Sequence, residues 1–245
     1  MITAITLNSV IDKLQPSFFE RRLKARNINR SHPIIGFMRV GDSDLFETIP
    51  LKNKAKLIGL LFMHPESDLA QKEILPRFGQ YHQRAGRFTD FYFAGYGIAK
   101  QNNSQKAITE LDNVKWEFSD SAFNSVRKQI EKKTLWKYSG ETDLILTTAR
   151  FSSKEQKAVI DFSQCITCCL EQLLRDKAIV SIPNYFERIF RFGQENHEAT
   201  AFRFSDLHLI QTSKDSFLDW VLSLIKMKTY FKKNRGLAIR NIAKE

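Results

Sequence analysis

Three acidic residues surround one predicted β-hairpin and could act together. Asp143 stands at the start of one predicted strand, and Asp161 stands at the end of the next. A turn centred near residues 152–153 would place both carboxylates at the open end of the hairpin. Glu131, on the preceding predicted helix, can approach the same end. Converging carboxylates favour Mg²⁺, which prefers oxygen ligands, and a metal held there can activate water against a phosphodiester.

The same residues resemble the PD-(D/E)xK pattern of the restriction-endonuclease-like nucleases. That pattern sets an Asp at the start of one strand and an acid-x-Lys at the end of its neighbour, before a helix. Asp143 matches the first acid and Asp161 the second, but Ser163 stands where the family has its Lys. The resemblance implies a Mg²⁺-dependent nuclease with Asp143 and Asp161 as metal ligands and catalytic residues. Glu131 is a third catalytic candidate, because it can approach the same end of the hairpin. A simpler interpretation is that Asp143 begins a strand while Asp161 and Ser163 cap a helix.

A second candidate is the loop at residues 63–70, which reads Met-His-Pro-Glu-Ser-Asp-Leu-Ala. It joins a predicted buried strand to a helix, and this frame resembles a thioredoxin-type unit. No Cys stands at the positions of that unit's paired cysteines, which excludes redox chemistry there. Ligands often bind beyond the carboxyl ends of strands and at helix N-termini, so His64 is a candidate. A lone His beside a Pro is more often structural than catalytic.

The cysteines offer a third pattern. Cys165, Cys168 and Cys169 lie together in a stretch predicted as helix, and the first two have the C-x-x-C spacing of a metal or redox pair. No second pair exists elsewhere in the sequence, and the neighbours are apolar. We therefore expect reduced, buried thiols and a reducing compartment.

The net charge of +11 is concentrated in two segments. Residues 20–30 carry five basic residues and one acidic residue (+4), and residues 226–245 carry seven and one (+6). The remaining 26 basic and 25 acidic residues leave +1. Such concentrated charge creates a local field that a scattered excess does not.

Aromatic residues accompany the basic side chains in both segments, which is typical of surfaces that bind phosphates and stack on bases. The simpler interpretation is a solvated helix face whose aromatics point into the core. The predicted contacts to nucleic acid or another polyanion are Arg21, Arg22, Lys24, Arg26, Lys228, Lys232, Lys233 and Arg235.

Hydrophobic periodicity and turn residues predict an α/β or α+β fold, a mixed β-sheet with flanking helices and helical terminal segments. The patterns indicate helices at residues 6–28 (interrupted at Pro16), 67–85, 119–138, 163–177, 184–192 and from 216, and strands at 34–40, 45–51, 56–63, 88–93, 114–118, 144–148 and 157–162. We expect one domain over residues 1–245, with the best candidate for an internal boundary near 98–112 and a basic C-terminal segment at 226–245.

Three functions remain open. The first is a non-enzymatic protein that binds nucleic acid or another polyanion as a subunit of an assembly. The second is the Mg²⁺-dependent nuclease, and the third is a protein-interaction module with an acidic partner. The apolar runs at residues 57–63 and 220–225 are too short to span a bilayer, and no secretory signal is evident at the N-terminus. We therefore expect a soluble cytoplasmic protein without a membrane partner, and no cofactor beyond the Mg²⁺ of the nuclease hypothesis.

Overall fold

The computed structural model describes residues 7–23, 46–50, 55–84, 89–98, 107–111, 114–195, 238–240 and 242–244. The α-helices are α1 (Leu7–Leu14), α2 (Phe78–Arg84), α3 (Asp120–Lys133), α4 (Leu170–Arg175) and α5 (Ile182–Glu195). The strands are β1 (Phe19–Leu23), β2 (Phe46–Pro50), β3 (Ala55–Phe62), β4 (Thr89–Phe93), β5 (Tyr96–Ile98), β6 (Ala107–Leu111), β7 (Val114–Phe118), β8 (Asp143–Ser152), β9 (Lys157–Cys169) and β10 (Ala238–Arg240). The predicted strand at 34–40 and the predicted helix from 216 lie outside the described residues.

A five-stranded mixed sheet forms the centre, in the order β10-β9-β8-β3-β4. β3 pairs in parallel with β4, whereas the β3–β8, β8–β9 and β9–β10 pairs are antiparallel. This mixed sheet with helices on its faces confirms the predicted α/β fold. β5, β7 and β6 form a separate three-stranded sheet, and β1 and β2 pair as a two-stranded one.

β3 is buried on both faces, as its continuous apolar run predicts. Leu57 and Leu61 face a core layer that includes α2 and α5. Leu60 and Phe62 face the opposite layer, which includes α1 and α3. Helices thus cover both faces of the sheet, and successive residues of β3 pack alternately into the two layers.

The connection from β3 to β4 is helical, and it is followed by α3 and then by the β8–β9 hairpin on the other side of β3. β3, the helical connection and β4 therefore form a parallel βαβ unit, and the antiparallel β8–β9 hairpin extends the sheet on the other side of β3. Pro76 does not end the connecting helix. The chain forms a π-helical turn, Ala70–Ile74, and then a 3₁₀ turn, Leu75–Arg77, that contains Pro76. These turns accommodate the proline, and the connection continues into α2.

The prediction of helix over residues 6–28 is wrong at residues 19–23, which form β1, and residues 24–28 lie outside the described part of the chain. α1 is followed by a 3₁₀ turn, Gln15–Phe18, and the chain then continues as β1. β1 pairs antiparallel with β2, from Phe19 opposite Pro50 to Leu23 opposite Phe46. Cross-strand pairing supplies hydrogen bonds that local sequence does not reveal, which explains the error.

The prediction of helix over residues 163–177 is also wrong in its first half. β9 continues to Cys169, and the helix there is the short α4. At the other end of the chain, β10 pairs with β9, so the described part of the C-terminal segment is a sheet edge rather than a helix. No helix among the described residues is long and apolar enough to cross a membrane.

Candidate functional site

The hairpin separates Asp143 from Asp161. Asp143 pairs with Cys169, whereas Asp161 pairs with Thr148, five residues further along β8. At about 3.3 Å per residue the two positions are roughly 16 Å apart along the strand. The predicted register is wrong because the turn, bounded by the Ser152–Lys157 pair, comes later than residues 152–153, and because β9 contains an irregularity. Asp143 and Asp161 therefore do not converge on one metal ion.

Asp161 begins that irregularity in β9. Leu146 pairs with Ile166 but Thr148 pairs with Asp161, so β9 places extra residues opposite Thr147. The Asp161 carboxylate accepts hydrogen bonds from the backbone N–H (2.9 Å) and the hydroxyl of Ser163. It also forms an ion pair with Arg150 at 2.7 Å. The two residues make the local side-chain-to-backbone bonds expected of a cap, but they shape a bulge instead of starting a helix.

Asp143 and Glu131 do lie near each other, because their carboxylates accept hydrogen bonds from the backbone N–H groups of two consecutive residues. Glu131 Oε1 accepts from the N–H of Tyr138 at 3.0 Å. Asp143, which is buried, accepts from the N–H of Ser139 at 2.9 Å and from its hydroxyl at 2.6 Å. Both carboxylates therefore fix the segment that leads from α3 into β8. Burial, with Asp143 nearby, raises the pKa of Tyr138 well above its ordinary value.

The cysteines are free and buried, as predicted, but they lie on a strand rather than a helix. Cys165 faces the layer of α1 and α3, and Cys168 faces the layer of α2 and α5. Residues three apart on a strand point to opposite faces, so this C-x-x-C cannot act as a pair. Burial raises the pKa of the Cys168 thiol well above its ordinary value, which keeps it neutral.

Cys169 instead belongs to a cluster that the sequence does not reveal. Glu141, Cys169 and Glu171 bring their ligand atoms within 4.8 Å of one another. The Cys169 thiol donates to Glu141 Oε2 at 2.8 Å and lies 3.8 Å from Glu171 Oε2. Burial, followed by the hydrogen bond to Glu141, raises the pKa of Cys169 to about 12.

Two neighbours orient the carboxylates of this cluster. Arg175 donates to both oxygens of Glu141 at 2.9 Å, and this lowers the pKa of Glu141. Thr142 donates to Glu171 through its backbone N–H (2.9 Å) and its hydroxyl (2.6 Å). The sequence does not reveal this cluster, because it depends on the pairing of the end of β9 with the start of β8.

His64 lies at the carboxyl edge of β3, where the loop prediction placed it. Its ring packs at 4.6 Å from Phe123 and 5.3 Å from Phe118, measured between centroids. Nδ1 lies 3.9 Å from Asp120. These contacts are those of a packed aromatic side chain next to the first turn of α3.

Few of the predicted polyanion contacts fall on described residues. Arg21 and Arg22 lie on β1, opposite Thr48 and Glu47 of β2. The other predicted contacts lie outside the described residues: Lys24, Arg26, Lys228, Lys232, Lys233 and Arg235.

A group of exposed lysines does surround the end of α3. We call it the α3 basic surface, and it consists of Lys128, Lys132, Lys133, Lys137 and Lys244. Glu131 is the acid among them, and it lies 3.8 Å from the Lys137 ammonium. Within the described ranges, Lys128, Lys132 and Lys133 form no ion pair. Five lysines against one glutamate give this surface a net charge of +4.

Backbone hydrogen bonds attach the C-terminal residues to the α3 basic surface. Lys244 donates its N–H to the carbonyl of Lys133 at 3.0 Å, and its ammonium donates to the carbonyl of Glu131 at 2.6 Å. Ile242 donates to Phe162 (3.1 Å) and accepts from Leu135 (2.7 Å). The end of the basic segment 226–245 is therefore fixed beside the lysines of α3.

Comparison with protein-family models, with curated proteins and with solved structures found no match to this chain. The geometry above is thus the basis for any functional assignment.

Proposed function

We propose that this protein binds nucleic acid through its phosphate backbone, at the α3 basic surface and the basic segment that joins it. The observation that carries the proposal is the docking of residues 242–244 beside the exposed lysines of α3. It places Lys244, from the C-terminal segment, beside the lysines of α3. A polyanion with regularly spaced phosphates fits such a surface, because each neutralised phosphate releases condensed counterions.

The exposure of the lysines supports the same proposal. Lys132 and Lys133 are exposed, and neither forms an ion pair with a described carboxylate, although the Lys133 charge acts at longer range on Glu155. Both ammonium groups can therefore contact a ligand. Lysine side chains that contact phosphates give affinity without sequence preference. We therefore propose binding that depends weakly on base sequence and strongly on salt.

The test compares two pairs of substitutions that change the net charge equally. Lys132→Gln with Lys133→Gln removes two charges from the α3 basic surface. Lys72→Gln with Lys177→Gln removes two exposed charges elsewhere: Lys72 lies on the helix that covers the other sheet face, and Lys177 follows α4. Fluorescence anisotropy with a labelled DNA duplex and a labelled RNA strand reports the affinity of each variant.

We expect the α3 pair to weaken binding to every nucleic-acid sequence tested, and the control pair to leave it near that of the wild type. Equal losses in the two variants would mean that net charge alone attracts the ligand, which contradicts a defined surface. If a poly-glutamate peptide competes as well as nucleic acid does, the natural partner is an acidic protein instead.

A further inference from the structure

We propose that Glu141, Cys169 and Glu171 form a zinc site with three protein ligands and a fourth position open to water. The inference is independent of the proposed nucleic-acid binding, because these residues lie at the open end of the β8–β9 hairpin and not on the α3 basic surface. The carboxylates are half-buried and the thiol is buried, so the cluster opens to solvent through the carboxylates.

The backbone holds the three ligands in fixed positions. The pairing of Asp143 with Cys169 brings the start of β8 to the end of β9. The N–H of Leu170 donates to the carbonyl of Thr142 at 2.9 Å, which fixes the turn from β9 into α4. Each ligand comes from a different element: the segment before β8, the last residue of β9 and the first turn of α4.

The separations suit tetrahedral zinc. With Zn–S near 2.3 Å and Zn–O near 2.0 Å, a tetrahedral site places sulfur and oxygen ligands roughly 3.5 Å apart. The Cys169 sulfur lies 2.8 Å from Glu141 and 3.8 Å from Glu171, on either side of that value. Small rotamer adjustments of two half-buried glutamates are enough to surround an ion.

The ligand types select zinc over magnesium. A thiolate is a soft ligand that favours Zn²⁺, whereas Mg²⁺ requires oxygen ligands. On binding, the Cys169 S–H bond breaks, the proton leaves to solvent, and the thiolate donates an electron pair to the metal. One thiolate and two carboxylates (−3), together with Arg175 (+1) and Zn²⁺ (+2), sum to zero.

The residues that contact the ligands fit the same assignment. Ligating carboxylates are commonly oriented by hydrogen bonds from a second layer of residues. Here Arg175 orients Glu141 through two bonds, and Thr142 orients Glu171 through two bonds. Glu171 accepts its hydrogen bonds from Thr142, and Arg175 is the nearby cation that acts on both carboxylates.

The experiment uses the full-length protein after removal of metals by a chelator. Zinc affinity is measured by competition with a chromophoric chelator, and Co²⁺ is added separately as a spectroscopic probe. We expect one equivalent of zinc, release of a proton on binding, and a sulfur-to-cobalt charge-transfer band in the near ultraviolet. Cys169→Ser should abolish the band and weaken zinc binding by roughly 100-fold or more, and Glu171→Gln should weaken it by about 10–100-fold.

Cys168→Ser is the matched control, since Cys168 is the adjacent buried thiol and faces the opposite side of the strand from Cys169. It should keep both the band and the affinity. The proposal is overturned if the wild-type protein gives no charge-transfer band, or if Cys169→Ser binds zinc as tightly as the wild type. If Cys169→Ser does not fold, as judged by circular dichroism, unchanged zinc affinity in Glu171→Gln overturns the proposal equally.

Discussion

Lys56 shows how single residues of this fold combine burial with charge. It lies on the central strand β3 with its side chain 5% exposed, and it forms an ion pair with Asp90 of β4 at 2.7 Å. Its ammonium also donates to the Ser17 hydroxyl at 3.3 Å, and Tyr92 donates to Asp90 at 3.2 Å. A buried charge of this kind is tolerated because a carboxylate compensates for its desolvation.

Asp90→Asn should therefore destabilise the protein strongly, by about 3 kcal/mol, because it leaves the Lys56 ammonium buried without a counter-charge. Urea denaturation followed by circular dichroism measures the change. Replacing both residues, as Lys56→Met with Asp90→Asn, should recover most of the loss, since neither charge remains. A loss below about 0.5 kcal/mol in Asp90→Asn would show that the pair is not buried as described.

Single residues also show which features of the site the sequence predicts and which it does not. The free, buried state of the cysteines was predictable from their apolar neighbours and odd number. The contact of Cys169 with Glu141 and Glu171 was not, because it depends on a strand register set across the sheet. Likewise, the sequence predicts the local hydrogen bonds between Asp161 and Ser163. It does not predict that they form a bulge, because a bulge and a helix N-terminus use the same bonds.

At the scale of elements, the sequence predicted best those that are defined by their own residues. β3 is a continuous apolar run and matches its prediction, and α3 begins after Ser119, whose side chain accepts from the N–H of Ala122. β1 and the second half of β9 were mistaken for helix, since their stability comes from partners distant in sequence. The docking of β10 on β9 could not be anticipated for the same reason.

Ile242 tests the docking of the C-terminal residues. Its side chain is fully buried in the layer shared with α1 and α3. Ile242→Ala should cost about 2–4 kcal/mol of unfolding free energy through loss of buried methyl groups and the cavity that remains. It should also weaken nucleic-acid binding, because residues 242–244 connect the basic segment to the α3 basic surface.

Leu135→Ala provides the comparison, because Leu135 is the hydrogen-bond partner of Ile242 but its side chain is 61% exposed. This variant should change the unfolding free energy by less than about 0.5 kcal/mol. Equal thermal stability of the two variants would show that the C-terminal residues are not docked in solution.

At the scale of the whole molecule, five of the six tyrosines are held in the neutral form. Burial raises the pKa of Tyr81 to about 12, and it raises those of Tyr92, Tyr96, Tyr138 and Tyr185 further. Each folded-state pKa lies above the unfolded value of about 10, so the folded state binds these protons more tightly. Their contribution to stability is complete below pH 10 and is lost as the pH rises through the folded pKa values.

We therefore expect the urea midpoint to fall steeply as the pH rises above 10, and phenolate absorbance to appear together with the loss of ellipticity. Titration of most tyrosines near pH 10 in a still-folded protein would contradict their burial.

The charge distribution is the other property of the whole molecule. The sequence alone located the excess at the two ends of the chain, and the structure attaches the described C-terminal residues to a lysine-rich helix end. We propose that the α3 basic surface contacts phosphates. The salt dependence of binding counts such contacts, since the slope of log K against log salt is about −0.9 per phosphate neutralised.

The most direct measurement is that slope on duplex DNA, for the wild type and for the two double-lysine variants described above. Contacts by Lys128, Lys132 and Lys133, the three lysines of this surface whose ammonium groups have no described ion pair or hydrogen bond, predict a slope of about −2.7 or steeper for the wild type. Lys132→Gln with Lys133→Gln should make it shallower by about 2, whereas Lys72→Gln with Lys177→Gln should leave it unchanged. A wild-type slope near zero, or the same slope in all three proteins, would contradict nucleic-acid binding at the α3 basic surface.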